Sequence, residues 1–379
     1  MAVNSPKLLS AFHATKSRKV VRRVSHVLRQ FRASHAGWLL SLILLCYVLL
    51  DITRHHHRSD ISSLQLLQNE DLIRTRMEAA RNMSNLGDVP YKLGNKFCIL
   101  QPTLSSGKSQ WTPNDARNHI ALRAFLRTFA MTVTEGERNN FRFAIYYGHD
   151  SDDPVLGSPT LRAVFQSEAK RILHDAGFEQ DAVQLVFTPL YGLHGRINAI
   201  WNVLAKDAYY DACDYFFMSN DDMVFFTKSW VSSARDSLNG IGSPAGHKRP
   251  CRYFGIVRFK DEWASWATFT FHVSTRMHME IFGGVYYPVP YNSAHNDYWI
   301  NYVYRQFDAS KFRSEVRVRN RVDDVDYALA HPKDTSKIAP PRYEYDKLGN
   351  ARKHIIEGRA RVQQWLKQYQ KTSRCQKPL

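Results

Sequence analysis

The chain has 379 residues, a formal net charge of +17, 44% hydrophobic residues and 13% aromatic residues. That length allows one large or two medium domains, and that apolar share excludes a disordered polyelectrolyte. The basic excess does not point to nucleic acid, because about half of it sits in one short arm with a simpler explanation.

Residues 1–36 hold Lys7, Lys16, Arg18, Lys19, Arg22, Arg23, Arg29 and Arg32 with no acidic residue, so +9 of the +17 remains beyond Leu50. An apolar run without charge follows, from Gly37 and Trp38 through Cys46 to Leu50. As a helix, Ala36 to Leu50 spans about 22 Å against a hydrocarbon core of roughly 30 Å. Ile52, interfacial Trp38 and snorkelling Arg32 and Arg54 extend it toward a thin bilayer. The competitor is a cleaved signal peptide, but the arm before it is long and no small-x-small cleavage site follows. The expectation is a basic cytoplasmic tail at 1–36 and a signal anchor at 37–53, with everything beyond in the lumen. The short span suits a Golgi or ER membrane.

Residues 54–95 read as a lumenal stem, with Leu64, Leu67, Glu70, Arg74 and Glu78 spaced like an exposed helix. Asn82-Met83-Ser84 within it is a glycosylation sequon. Among the lumenal cysteines, Cys98, Cys213, Cys251 and Cys375 allow three pairings or none. No C-x-x-C occurs, which argues against a zinc ribbon or a dithiol redox site.

A folded domain is expected over 96–332. It opens on an apolar strand at Phe97, followed by a helix from Ala116 to Val133 and a strand from Phe141 to Tyr147. A helix from Thr160 to Ala176, a strand from Val183, a helix from Arg196 to Ala208 and the strand Asp214–Met218 continue the alternation. Alternation of this kind predicts an α/β fold with a mostly parallel, doubly wound sheet. Tyr253–Phe259 and Trp266–Val273 then read as strands with less helix between them. Gly283 and Gly284 lie in an aromatic loop, and a helix begins near Asp297. Residues 333–379, with Pro340, Pro341 and a basic helix near Gly358–Gln370, read as a C-terminal wrap.

The strand Asp214–Met218 ends in Asn220-Asp221-Asp222, with no Lys or Arg following until Lys228. Two adjacent carboxylates at the C-terminal end of a buried strand repel unless a cation sits between them. A hard divalent ion gripping a diphosphate fits that chemistry, and an Asx turn is the plain alternative. Asp297 opens a helix, as an N-terminal capping acid does; it could equally deprotonate a hydroxyl.

At these residues the chain resembles the GT-A nucleotide-sugar glycosyltransferases, mostly type II membrane proteins of the secretory pathway. The resemblance covers roughly Phe97 to His331. Asn220-Asp221-Asp222 resembles the DxD motif, with Asn in the first position. It implies Mn2+ or Mg2+ held by Asp222, Asp221 and His331 against the diphosphate of a UDP- or GDP-sugar. Gly283 and Gly284 resemble the glycine loop beneath donor and acceptor. His295-Asn296-Asp297 resembles the xED motif, with Asn where Glu is usual, and implies Asp297 as the base of an inverting transfer.

Gly192–Asn202, with Arg196 and Asn198, resembles the segment that touches the donor nucleoside. Asp152, between Asp150 and Asp153, sits where relatives recognise base or ribose. Of Trp263, Trp266, Tyr286, Tyr287, Tyr291 and Trp299, the candidates for stacking on a sugar are Trp266 and Tyr291. The acceptor implied is a glycan or glycoconjugate. Two other readings stand beside this one. Ser105-Ser106-Gly107-Lys108-Ser109 resembles the phosphate-binding loop of Golgi sulfotransferases, although Pro102 stands where a Walker loop needs Gly. The Asn residues at 220 and 296 also suit a GT-A-like lumenal binder without turnover.

Overall fold

The computed structural model describes residues 94–241, 253–263, 270–287, 295–334 and 351–369. All lie within one compact unit, Arg76–Leu379. The arm 1–36, the anchor 37–53, Asn82 and the rest of the stem up to Leu93 fall outside the described residues, as do Cys251, Trp266, Tyr291 and Cys375. Among the described residues no helix is long and apolar enough to cross a membrane.

Eight strands form one sheet: β1 Lys96–Pro102, β2 Arg142–Asp150, β3 Val183–Leu190, β4 Tyr215–Met218, β5 Val224–Phe225, β6 Ile256–Asp261, β7 His272–Thr275 and β8 Ser310–Arg319. Their order across the sheet is β3-β2-β1-β4-β7-β6-β8-β5. The half β3-β2-β1-β4 is parallel throughout, as the alternation predicts. The other half is mixed: β7 runs antiparallel to both β4 and β6, β8 parallel to β6, and β5 antiparallel to β8. Four of the seven pairings are parallel, so the sheet is mostly parallel as expected, with antiparallel pairings at β7 and β5. The reason is connection length: a parallel neighbour needs a crossover of a dozen or more residues, and only residues 262–271 separate β6 from β7.

The helices are α1 Pro113–Arg117, α2 Arg127–Thr132, α3 Glu135–Asn140, α4 Pro159–Asp175, α5 Ile197–Tyr210, α6 Trp230–Gly240, α7 Arg276–Ile281, α8 Asn296–Arg305, α9 Val325–Ala330 and α10 Ala351–Tyr369. The single helix expected from Ala116 to Val133 is instead broken after Arg117, and π-helical over Ala121–Leu126 before it enters α2. Helical ends follow local chemistry. The Ser158 hydroxyl caps α4 by accepting from Leu161 N, Pro159 supplies the first turn, and Gly177 at φ 81° closes it.

β1 carries a buried run from Phe97 to Pro102 because parallel strands flank it on both edges. Phe97, Phe217 and Phe225 surround the buried Trp230 of α6. α10 lies against α8, burying Val362, Trp365 and Leu366 beside the main core. Gly358 belongs there because a Cβ would meet Val303 at 2.7 Å.

One of the three cysteine pairings is realised in part: Cys98 of β1 is bonded to Cys213, with Cα atoms 5.9 Å apart and a sequence separation of 115. Cross-links closing loops of this length typically contribute about 2–5 kcal/mol. Replacing Cys213 by Ser should lower unfolding stability by that amount in a denaturant titration. Reductant should act the same way on the wild-type protein and leave the variant unmoved.

Candidate active site

Parallel strands end in loops whose backbone N–H groups have left the ladder, and here carboxylates take them up. Beyond β4, Asp221 and Asp222 are 4% and 6% exposed. The Asp221 carboxylate accepts from the backbone N–H of Leu104 at 3.1 Å, tying the turn after β4 to the loop after β1. The carbonyl of Asp222 accepts from Val322 N at 2.8 Å, which brings the segment after β8 to the same place.

Asn220 donates through Nδ2 to Asn320 Oδ1 at 2.9 Å, and its carbonyl accepts from Gln101 Nε2. The Asn at the first motif position therefore anchors the turn to β8, a task a carboxylate could not perform against another acceptor. Asn320 N in turn donates to Asp261, which also accepts from Trp263 N. Burial pushes the Asp261 carboxyl up to about 7, against the downward pull of those N–H groups.

After β2, the three acids divide. Asp153 is buried and fully employed, accepting from Ser105 N, Ser105 Oγ, Val155 N and Leu156 N. Asp150 pairs with His194 Nδ1 at 2.6 Å. Asp152 is exposed at the rim. The loop Ser105–Ser109 is held closed by these contacts, and Lys108 is paired with Asp115. Neither Ser105 nor Lys108 is presented as a phosphate-binding loop presents them.

Helix α5 organises the other side. Arg196 occupies its N-cap position and is exposed, while Asn198 is buried. Asn198 Oδ1 accepts from Asn296 Nδ2 at 2.7 Å. One turn on, Asn202 Oδ1 accepts from Tyr286 N and Tyr287 N, and its Nδ2 donates to the Tyr287 carbonyl. These two amides, on one face of α5, hold the glycine loop and the start of α8. Gly283 and Gly284, at φ 64° and 85°, close α7, with Gly284 N donating to Met279 O. A Cβ on either would meet nothing within 4 Å, so backbone conformation alone demands glycine here.

Asp297 lies in the first turn of α8, half-buried, with Oδ1 accepting from Tyr298 N at 2.7 Å. Burial raises its carboxyl above the ordinary aspartate range, while the Tyr298 N–H and nearby His295 pull it back. Its charge reaches the buried Tyr287 phenol, whose hydroxyl meets His272 Nε2 at 3.1 Å. Tyr286, Tyr287 and Trp299 are core residues, and Trp263 lies beneath the guanidinium of Arg321.

His331 is not drawn into a metal-binding group. It is exposed after α9, stacked on Tyr327 with centroids 4.3 Å apart, and its Nδ1 lies 3.2 Å from the Tyr327 carbonyl. Among the described residues no three His, Cys, Asp or Glu side chains gather to hold an ion. Sequence reasoning missed Asp261, Asn320, Arg319 and Arg321, and the scaffold role of Asn202. The arginines had a readable signal in the alternation Arg317-Val318-Arg319-Asn320-Arg321; the buried amides and Asp261 had none.

Among known proteins, no family model matches the chain and no curated protein matches it. Among solved structures, S. aureus TarS is similar at 12% identity and a TM-score of 0.34, over 63% of this chain. The chain spans 39% of that protein's length. At this similarity no fold or activity transfers from one to the other.

Asn202 offers a direct check of the α5 scaffold. Asn202→Ala strands two buried N–H groups and a carbonyl, so stability should fall by about 2–4 kcal/mol in urea unfolding. Met131→Ala, at an exposed position, should change it by under about 0.5 kcal/mol.

Proposed function

We propose that this chain is a GT-A-like glycosyltransferase moving a sugar from a UDP- or GDP-sugar to a glycan or glycoconjugate acceptor with inversion. The observation that carries the reading is one shared rim. Asp221 and Asp222 stand beyond β4 at the C-terminal edge of the parallel strands, and Asp297 is tethered through Asn296 to the start of α5, which follows β3 at that same edge. In open α/β sheets, ligands bind at that edge.

Asp222 and Asp221 present hard oxygen donors that suit Mn2+ or Mg2+. With only two carboxylates, such an ion would take its remaining ligands from the diphosphate and water; His331, whose Nδ1 meets the Tyr327 carbonyl, would have Nε2 to offer. When bound, the ion would neutralise charge developing on the nucleotide diphosphate. The chain's own residues position the rest. The Asn202 contacts fix the glycine loop, Asn198 fixes Asn296, and α8 holds Asp297 as general base. Asp297 takes the proton of the acceptor hydroxyl as that oxygen bonds to the anomeric carbon. The bond from that carbon to the phosphate oxygen breaks on the opposite face.

Placement as a single-pass type II protein of the Golgi or ER, with this domain lumenal, rests on the arm 1–36 and the run 37–53. The Cys98–Cys213 bond supports it, because such bonds persist in oxidising compartments. The sulfotransferase reading loses its main support, since Ser105 and Lys108 are bound to Asp153 and Asp115. A binder without turnover keeps one favouring observation: no third metal-capable group stands with Asp221 and Asp222 among the described residues.

Two variants test the assignment. Asp222→Ala should abolish thermal stabilisation by UDP or GDP with Mn2+, and Asp297→Asn should keep that stabilisation while losing transfer by at least about 100-fold. Nucleotide binding without transfer in the wild type would favour the binder. The base must be ionised to act, so the rate should fall as pH drops through the Asp297 value, which burial holds above the ordinary aspartate value of about 3.9. A carboxyl raised by folding makes the opposite contribution to stability, which diminishes as pH rises through that same value. Asp297→Asn should remove this loss, as read by unfolding across pH.

A further inference from the structure

β8 and the residues just beyond it bring three arginines beside the strand-end carboxylates. Arg317 and Arg319 share one face of the strand and lie over the Phe226 ring at 5.7 and 5.6 Å. Arg321, just past the strand, lies over the Trp263 ring at 5.0 Å. Their position is fixed by three contacts: Arg319 is opposite Val224 in the ladder, Asn320 accepts from Asn220, and Val322 N donates to the Asp222 carbonyl.

The three differ in how their charge is met. Arg317 is bound to Glu262. Arg319 is only 3% exposed, and Nη2 donates to the His331 carbonyl at 3.0 Å. Its Nε and that of Arg321 are buried without a hydrogen-bond partner among the described residues. Neither Arg319 nor Arg321 has a carboxylate at ion-pair distance among those residues; Glu262, Asp334 and Asp261 act on Arg319 only through space. Burial accordingly lowers the Arg319 value from that of a free guanidinium. A buried cation with no counter-ion in contact is costly to hold, and an anion brought to it would offset that cost.

We propose that Arg319 and Arg321 form an oxyanion-binding site beside Asp221 and Asp222, and that the oxyanion is the donor's diphosphate. The inference rests on the donor reading above and deepens it. Asp221 and Asp222 alone repel a diphosphate, and two guanidinium groups offset that repulsion. A guanidinium also meets phosphate oxygens through paired donors, fixing the orientation of the leaving group.

The test uses inorganic pyrophosphate and, separately, glucuronate, each in EDTA, read by thermal unfolding of the full chain. Pyrophosphate should stabilise the wild type, and Arg319→Gln and Arg321→Gln should each weaken its apparent affinity about tenfold or more. Half-buried Arg321 is the variant that keeps the fold if Arg319→Gln does not, and circular dichroism checks both. Protection by glucuronate alone, lost in the variants, would place the oxyanion on the acceptor and overturn the diphosphate assignment. Equal protection of wild type and variants, or no protection by either probe, would overturn the site. The assay contains neither nucleoside nor metal, so it fails separately from the Asp222→Ala test. Intact nucleotide binding with Mn2+ beside a failed pyrophosphate arm removes only the arginine site. The converse removes the donor reading, and with it the diphosphate's assignment to a donor, and leaves the arginine oxyanion site standing.

Discussion

Orphaned backbone N–H groups at the ends of strands are the constraint on which the rest of this structure depends. Buried donors must be satisfied, and the molecule does it repeatedly with aspartate. Asp153 takes the loops after β1 and β2, Asp221 joins the turn after β4 to the loop after β1, and Asp261 ties β6 to the end of β8. Asp214 serves the opposite end, accepting from Gly94 N and Lys96 N before β4 begins. The polar rim that could carry chemistry is therefore first a rim of structural carboxylates. Its candidate functional members are those with capacity beyond that task.

That double use explains what could be read in the sequence. The parallel half was legible because its alternation of apolar strands and amphipathic helices has a period that survives tertiary context. Asp221, Asp222 and Asp297 stood out because carboxylates at element ends are conspicuous, and the fold does place them at strand and helix ends. Asp153 looked no different from Asp152 in sequence, yet one is buried under four donors and the other exposed. Only the turn geometry after β2 separates them.

The second half was less legible for another reason. β5 is two residues long and β8 reads as alternating charge, so neither resembles a buried strand by composition. Their pairing is non-local, between Val224 and Arg319, and local pattern carries no trace of it. The proposed basic site uses the end of the same strand, so although its arginines alternate visibly in sequence, their placement near Asp222 depends on that pairing. Asn198 and Asn202 lie in the segment singled out in the sequence, but their partners were not legible. An i, i+4 pair of amides on an amphipathic helix looks like its polar face, but here that face turns inward to hold Asn296 and the glycine loop.

The pairing of β1 with β4 bears on how the chain reaches this state. β1 is central, yet its partner Tyr215–Met218 emerges from the ribosome more than a hundred residues later, on the order of ten seconds at ordinary synthesis rates. Until then one edge of an apolar strand, and the thiol of Cys98, stay exposed to whatever surrounds the nascent chain. A β1–β2–β3 species with an unpaired hydrophobic edge would be prone to aggregate. Production in a reducing host removes the covalent step that locks that edge, so soluble yield of this domain should depend on the redox state of the folding compartment.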